Sequence, residues 1–253
     1  MTTPRILFVP DQFTDYRMWS DIPDWIQGRA EVIHFDQHEQ IPWADAGGGF
    51  LAAVRRLAGA GVFDIVVAAG QAARFAFAVA EAGLARGLIF IYPWPDCLPD
   101  ELPDVDLAEV LKPYLPAAAA VREGHIDRLR DVLVQVACDT AGPDAEPREL
   151  QRLIDMLTDH AGELLTNLQA TQAAAAADRS PPDPPWLEQP WIDRLATLTV
   201  PVIAIVAPGS TALGDTITRR ARDAEIVVAD QLVPVALPSG SAEVIVRMLD
   251  RLT

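Results

Sequence analysis

The sequence predicts an α/β fold in which a mainly parallel sheet carries helices on both faces and is interrupted by an all-helical insertion. Two observations predict it. At both ends of the chain, short runs of consecutive apolar residues alternate with segments of helical periodicity, as in buried parallel strands joined by helices. Between these two parts, residues 93–198 show proline-rich stretches and helical periodicity only.

The first part of the chain contains four predicted strands. They cover residues 5–10, 30–35, 63–68 and 87–92, and the predicted helices among them cover 18–27, 50–57 and 74–82. The glycine triplet 47–49 lacks the Lys and the Ser or Thr of a phosphate-binding loop. We therefore expect this triplet to be a hinge ahead of the second helix.

The α/β pattern resumes near the end of the chain. Strands are predicted at 200–206 and 225–228, with helices at 213–221 and 241–252. The run Ser180–Pro185 contains four prolines and predicts a stiff linker. The sequence therefore predicts a core domain of residues 1–92 and 199–253. A helical cap insertion with this proline-rich linker would cover residues 93–198.

Composition excludes several classes of partner. The chain has 253 residues with 20 Lys and Arg against 36 Asp and Glu, a net charge of -16. No Lys/Arg run is present, so binding to nucleic acid or to an anionic membrane is not expected. The N-terminus lacks the apolar core of a signal peptide, and no apolar run is long enough to span a bilayer. We expect a cytoplasmic protein whose ligand is a small molecule or a peptide, and a homodimer stays open.

Metal and cofactor signatures are missing from the sequence. The two cysteines, Cys97 and Cys138, are far apart, and no His-x-x-x-His or Cys-x-x-Cys spacing occurs. We therefore expect no metal and no cofactor. His34 lies inside a predicted strand and is expected to pack there, whereas His125 and His160 fall on insertion helices as surface residues.

The order of the strands and helices resembles the α/β-hydrolase superfamily over nearly the whole chain. Ile6–Phe13 followed by Trp19 is similar to that family's first central strand, its oxyanion loop and the Trp of the next helix. The strand that ends at Asp36 looks like the family's strand that ends in Asp. Residues 66–73 lie where the nucleophile elbow lies, and residues 195–206 resemble the segment that re-enters the sheet. The resemblance places the insertion helices at the cap position.

The resemblance also implies a catalytic triad, and the sequence departs from it at each position. The family needs a Ser, Cys or Asp nucleophile at the strand-to-helix turn, but the chain has Ala-Gly-Gln-Ala-Ala at 69–73. Two registers stay open, with either Gln71 or Ala72 at the nucleophile position. Ser210 falls near the position of the acid, and residues 230–237 contain no His. We therefore expect no Ser-His-Asp hydrolysis.

The remaining candidates follow the carboxyl ends of the predicted strands, where ligands bind in open parallel sheets. The family's oxyanion loop usually begins with His-Gly, and here it begins with Pro10-Asp11. Asp11 is a candidate general base or a partner for a cationic substrate, and its alternative role is to cap a helix or solvate a loop. Gln71 would present an amide to the ligand and is the second catalytic candidate.

Six further residues are predicted to bind substrate. They are Gln12, Phe13, Ala72, Trp94, Asp96 and His38. For Phe13 and Trp94 the choice is between an aromatic pocket wall and packing in the core or cap. Asp96 has the same two roles open as Asp11. His38 either reaches the mouth of the cleft or lies in a solvated loop.

Three functional hypotheses follow. The first is a non-hydrolytic enzyme of the isomerase or epimerase, cyclase or lyase type, acting on a small-molecule or peptide natural-product intermediate in a capped cavity. In lacking the triad the sequence is similar to the bottromycin-pathway epimerase, which is an analogy in missing residues. The second is a non-catalytic ligand-binding or partner protein. The third is a hydrolase with a displaced triad.

Overall fold

A computed structural model describes most of the α/β part of the chain and part of the insertion. It describes residues 3–11, 14–19, 22, 26, 28–35, 46–94, 116, 119–120, 123–141, 147–159, 161–162, 165–166, 190–229 and 238–252. The predicted helix at 18–27 lies mostly outside these residues. Its described beginning is a short 3-10 turn, Tyr16–Trp19.

Six strands form a single sheet. They are β1 Arg5–Val9, β2 Glu31–His34, β3 Ile65–Ala69, β4 Leu88–Ile91, β5 Val202–Val206 and β6 Ala224–Val228. The strand order is β2-β1-β3-β4-β5-β6, and every neighbouring pair is parallel. This architecture confirms the predicted fold class.

The central strands carry apolar side chains on both faces, and this explains why they lie inside the sheet. Every residue of β3, β4 and β5 is buried, as expected for parallel strands covered by helices on two sides. The edge strands differ, since β2 and β6 are only partly buried. The continuous apolar runs in the sequence therefore mark the inner strands most clearly.

Six helices have described bounds. They are α1 Ala46–Ala58, α2 Ala73–Glu81, α3 Ile126–Ala141, α4 Pro147–Asp159, α5 Thr211–Arg220 and α6 Pro238–Leu252. Short 3-10 turns lie at Gly70–Ala72, Trp191–Thr197 and Pro208–Ser210.

The hinge predicted at the glycine triplet is wrong, because residues 47–49 lie within the first turn of α1. Glycine lowers helix propensity, but tertiary packing outweighs propensity when the following turns bury an apolar face. Phe50, Ala53 and Val54 supply that face and are almost fully buried.

The chain forms two compact units, residues 1–102 with 184–253, and residues 103–183. In the second unit, the described residues contain helices and no strand. A small core there joins Leu129 and Leu133 of α3 with Ala120 and Ala161. The cap function assigned to residues 93–198 stays a prediction. Within the described part of the chain, no helix is both long and apolar enough to cross a membrane.

His34 ends β2 at one edge of the sheet. Its ring centroid lies 5.6 Å from that of Phe8 and 6.0 Å from that of Tyr16. Its Nδ1 atom is buried and has no hydrogen-bond partner among the residues that the structure describes. Burial disfavours the charged imidazolium and lowers the pKa of His34 from its usual 6.5.

This burial predicts a pH dependence of stability. Because the pKa of His34 is lower in the folded chain, the unfolded chain binds a proton first as the pH falls below 6.5. The stabilising contribution is complete above that pH and is lost below it. Urea unfolding between about pH 7.5 and about pH 5.5 should show a smaller loss of stability in His34→Gln than in the native chain. The same substitution at the exposed His125 leaves the native dependence in place. Equal losses in the native chain and in His34→Gln would contradict the prediction.

Candidate functional site

The register of two central strands brings Asp11 and Gly70 together. Val9 of β1 pairs with Ala68 of β3. Asp11 and Gly70 each lie two residues beyond this pair, at the carboxyl ends of adjacent parallel strands. Ligands bind at this edge in open α/β sheets. The pairing of β1 with β3 therefore defines the centre of the candidate site.

A sharp turn joins β3 to α2. Gly70–Ala72 is a single 3-10 turn, and the carbonyl of Gly70 accepts a hydrogen bond from the N–H of Ala73. Gly70 has a φ of +53°, which lies in the left-handed region that favours glycine. Ala72 and Ala73 are buried at 1% and 0% exposure, so the first turn of α2 tolerates only small side chains here.

The carboxylate of Asp11 lies directly against this turn. Its Oδ1 accepts a hydrogen bond of 3.0 Å from the backbone N–H of Gln71. A Cβ atom on Gly70 would overlap Oδ2 of Asp11 and lie 2.5 Å from its Cγ. The carboxylate thus fills the space into which a side chain at position 70 would project.

The backbone of Asp11 is held as well. Its carbonyl accepts hydrogen bonds from the N–H of Thr14, at 2.9 Å, and from Oγ1 of Thr14, at 3.1 Å. A second acid follows in the same loop, since the carboxylate of Asp15 is buried and bonded to the guanidinium of Arg17 at 2.6 Å. Asp15 is therefore engaged in an ion pair that fastens the loop.

Two groups with partial positive charge lie near the Asp11 carboxylate. They are the backbone N–H of Gln71, which donates to it, and the N-terminus of α2, which begins at Ala73 with the positive end of its dipole toward the turn. An ionised carboxylate only accepts hydrogen bonds. The site can therefore take up a proton or bind a donor group, whereas Gly70 has no side chain with which to attack a substrate.

The residues that follow β4 are hydrogen-bonded to the Gly70 turn. Tyr92 has a φ of +47° and is the one residue other than glycine with a positive φ in the described chain. Its N–H still donates to the carbonyl of Ile205 at 2.8 Å, and the N–H of Trp94 donates to the carbonyl of Gly70 at 3.0 Å. The indole Nε1 of Trp191 donates in turn to the carbonyl of Trp94 at 3.1 Å.

The structure describes some of the predicted site residues. It brings Asp11, Gln71 and Trp94 to the turn, and it buries Ala72 at the start of α2. Gln12, Phe13, His38 and Asp96 lie outside the described residues. That these side chains line one cavity stays a prediction. Ser210, at the end of a separate 3-10 turn after β5, donates its N–H to Ala207.

Sequence reasoning missed two residues of this arrangement. It weighed Gln71 and Ala72 for the apex of the turn, but the left-handed backbone belongs to Gly70 and the φ of Ala72 is -68°. The small residues Ala68 and Ala72, two positions before and after Gly70, were a usable signal. Trp191 had none, because its partner lies 97 residues away.

No group of three or more His, Cys, Asp and Glu side chains that could hold a metal ion occurs among the residues the structure covers.

No family model and no curated protein sequence matches this chain. Solved structures do. The structure of MenH from S. aureus has a TM-score of 0.69 at 11% identity, with 100% of this chain and 95% of that chain covered. An esterase from Thermogutta terrifontis gives 0.68 at 16% identity, with 99% and 91% covered. The enol-lactonase from Burkholderia xenovorans LB400 gives 0.67 at 14%, with 99% and 92% covered. The chain has the α/β-hydrolase fold, and at these identities the likeness shows the fold alone.

The contact between Gly70 and Asp11 predicts an unequal cost of two glycine substitutions. Gly59 has a φ of +64°, and a Cβ atom added there would have no neighbour within 4 Å, whereas one added to Gly70 would meet Asp11. Gly59→Ala should cost only the left-handed strain, about 1–2 kcal/mol of unfolding free energy. Gly70→Ala should cost about 1–3 kcal/mol more because the carboxylate must move.

A second substitution tests the cause of this difference. In an Asp11→Ala background, Gly70→Ala should cost no more than Gly59→Ala, since the contacting carboxyl group is gone. Urea unfolding of the single and double variants measures these costs. An extra cost at Gly70 that persists without the Asp11 carboxylate would contradict the assignment of that cost to Asp11.

Proposed function

We propose that this chain is a non-hydrolytic enzyme on the α/β-hydrolase fold, of the isomerase or epimerase, cyclase or lyase type. Its substrate is a small-molecule or peptide intermediate, and Asp11 is the general base. One observation carries the proposal. The carboxylate of Asp11 accepts the N–H of Gln71 at the turn after the central strand and fills the space beside Gly70.

The geometry of the turn supports Gly70 at the nucleophile position. In hydrolases of this fold, the nucleophile lies on a strained strand-to-helix turn, with small residues two positions before and after it. Here the left-handed residue at that turn is Gly70, and Ala68 and Ala72 are the small neighbours. This register differs from both of those considered from the sequence, which placed Gln71 or Ala72 there.

This register also shows which backbone N–H would correspond to the oxyanion donor of the hydrolases. In the hydrolases, the N–H of the residue after the nucleophile stabilises the oxyanion of the intermediate. The corresponding N–H belongs to Gln71, and Asp11 accepts it. A carboxylate at this point repels a developing oxyanion. The arrangement therefore disfavours acyl transfer on two grounds, the missing nucleophile and the negative charge.

Proton abstraction suits the same atoms. Asp11 would take a proton from a substrate carbon and become a neutral acid, and the negative charge would move to the substrate carbonyl as an enolate. The N–H of Gln71 could then donate to that oxygen instead of to Asp11. The Gln71 side-chain amide would hold the carbonyl before the transfer. Protonation of the opposite face by a water molecule, with the resulting hydroxide taking up the proton held by Asp11, gives epimerisation, and loss of a leaving group gives elimination.

Hydrogen exchange into substrates is the direct test. The protein is incubated in D₂O with small carbonyl compounds and short peptides that carry an acidic α-C–H, and deuterium uptake is followed by mass spectrometry. We expect uptake catalysed by the native chain and loss of at least about 100-fold in Asp11→Asn, the usual contribution of a general base. Asp127→Asn is the matched control, because the side chain of Asp127 is 94% exposed on α3.

The same experiment separates the other hypotheses. Asp11→Asn and Gln71→Ala can change the affinity for one of these compounds while no compound takes up deuterium or is converted. In that case the protein is a ligand-binding protein. Gln71→Ala keeps the backbone N–H, so its effect reports the side-chain amide alone. Labelling by a fluorophosphonate, or hydrolysis of p-nitrophenyl esters above background, would instead indicate a displaced nucleophile and overturn the proposal.

A further inference from the structure

Two hydrogen bonds connect the Asp11 site to Trp191, which follows the insertion in the sequence. The indole Nε1 of Trp191 donates to the carbonyl of Trp94, and the N–H of Trp94 donates to the carbonyl of Gly70. We call this pair of bonds the tryptophan clamp. We propose that Trp191 is a positioning residue, which acts through Trp94 to hold the Gly70 turn and hence the Asp11–Gln71 pair.

Trp191 is well anchored for such a role. Its side chain is 2% exposed, and its ring centroid lies 5.0 Å from that of Phe90 in β4. Its neighbours Ile192 and Leu195 in the same 3-10 turn are fully buried. Arg194 of this turn is paired with Glu81 at the end of α2, and its guanidinium lies 5.3 Å from the ring centroid of Phe77. The indole N–H therefore belongs to a side chain whose position is fixed by its neighbours.

Trp94 is held on both sides of its α-carbon. Its N–H is used at Gly70 and its carbonyl is used by Trp191, so both adjoining peptide groups are fixed. The left-handed backbone of Tyr92 turns the chain out of β4 toward Gly70. Such a conformation is strained for a residue with a side chain and persists only when the surroundings fix it. The clamp contributes to that fixation, together with the hydrogen bond from the Tyr92 N–H to Ile205.

The tryptophan clamp is linked to the Asp11 carboxylate through the carbonyl of Gly70. The Gly70 carbonyl accepts two hydrogen bonds. One comes from the N–H of Ala73 in the same turn, and the other comes from the N–H of Trp94 after β4. The same peptide group, which joins Gly70 to Gln71, presents the Gln71 N–H to Asp11. Loss of the Trp94 bond would release this carbonyl from one of its two donors and let the Gln71 N–H swing away from the carboxylate. The clamp also joins the points where the chain leaves β4 and returns toward β5.

The inference rests on the proposed function of Asp11, but it is tested without substrate. Amide hydrogen exchange of the native chain and of Trp191→Phe is measured by NMR at one pH. The phenyl ring keeps much of the packing and removes the donor. We expect the Gln71 and Trp94 amides to exchange roughly two- to tenfold faster in the variant, the effect of losing one hydrogen bond. The Ala82 amide, bonded to Ala78 at the end of α2, should keep its native rate.

Trp19→Phe is the matched control. Trp19 is also fully buried, and its indole Nε1 has no hydrogen-bond partner among the described residues. This variant should leave the exchange of Gln71 unchanged. Equal acceleration of Gln71 in both variants, or acceleration of Ala82 by the same factor as Gln71, would reduce Trp191 to a packing residue and overturn the inference.

The native chain provides a second measurement that needs no folded variant. The indole N–H of Trp191 and the amides of Trp94 and Gln71 should open together, with the same dependence of exchange on low urea concentrations. A Gln71 amide that exchanges freely while the other two stay protected would overturn the clamp. Neither result depends on turnover, so failure of the proposed enzyme activity would leave this test intact, and the reverse also holds.

Discussion

The hydrogen bond from the Gln71 N–H to the Asp11 carboxylate is the interaction on which the site depends. It joins the loop after β1 to the turn after β3, and it requires a residue without a Cβ at position 70. Only glycine meets that requirement and also adopts the left-handed backbone there. The same bond orients a proton acceptor at the edge of the sheet where ligands bind. Packing, backbone conformation and the proposed chemistry therefore converge on three neighbouring groups: a glycine Cα, an amide and a carboxylate.

The parallel sheet makes this arrangement precise enough to matter. Residues of β1 and β3 are almost all buried, and a slip of register would disrupt the close packing of their side chains in the core. The fixed pairing of Val9 with Ala68 then determines which residues meet beyond the strands. The function of a chain with this fold depends on the side chains at the strand ends, and the fold alone does not determine it.

The sequence predicted the parallel sheet, and its choice of site residues stays a prediction. Runs such as Ile65–Ala69 are apolar throughout, so their burial and strand type follow from the residues themselves. Asp11 became a candidate because Pro10-Asp11 stands where the oxyanion loop of the α/β-hydrolase superfamily usually begins with His-Gly. The left-handed backbone at Gly70 was not anticipated because φ cannot be read from these residue types, and the register of the turn stays a proposal. The glycines 47–49 show the opposite error, since local propensity predicted a break and the packing of Phe50 and Val54 outweighed it.

A pH titration of the Gln71 backbone amide by NMR tests the central claim most directly. The hydrogen bond from Gln71 to Asp11 makes the amide proton resonance depend on the ionisation of that carboxylate. In the native chain, the resonance should move upfield as acid protonates Asp11 and weakens the bond. In Asp11→Asn this step should be absent, while the amide of Ala82 stays unchanged in both proteins. A Gln71 resonance that shows no step in the native chain, or the same step in Asp11→Asn, would contradict the account.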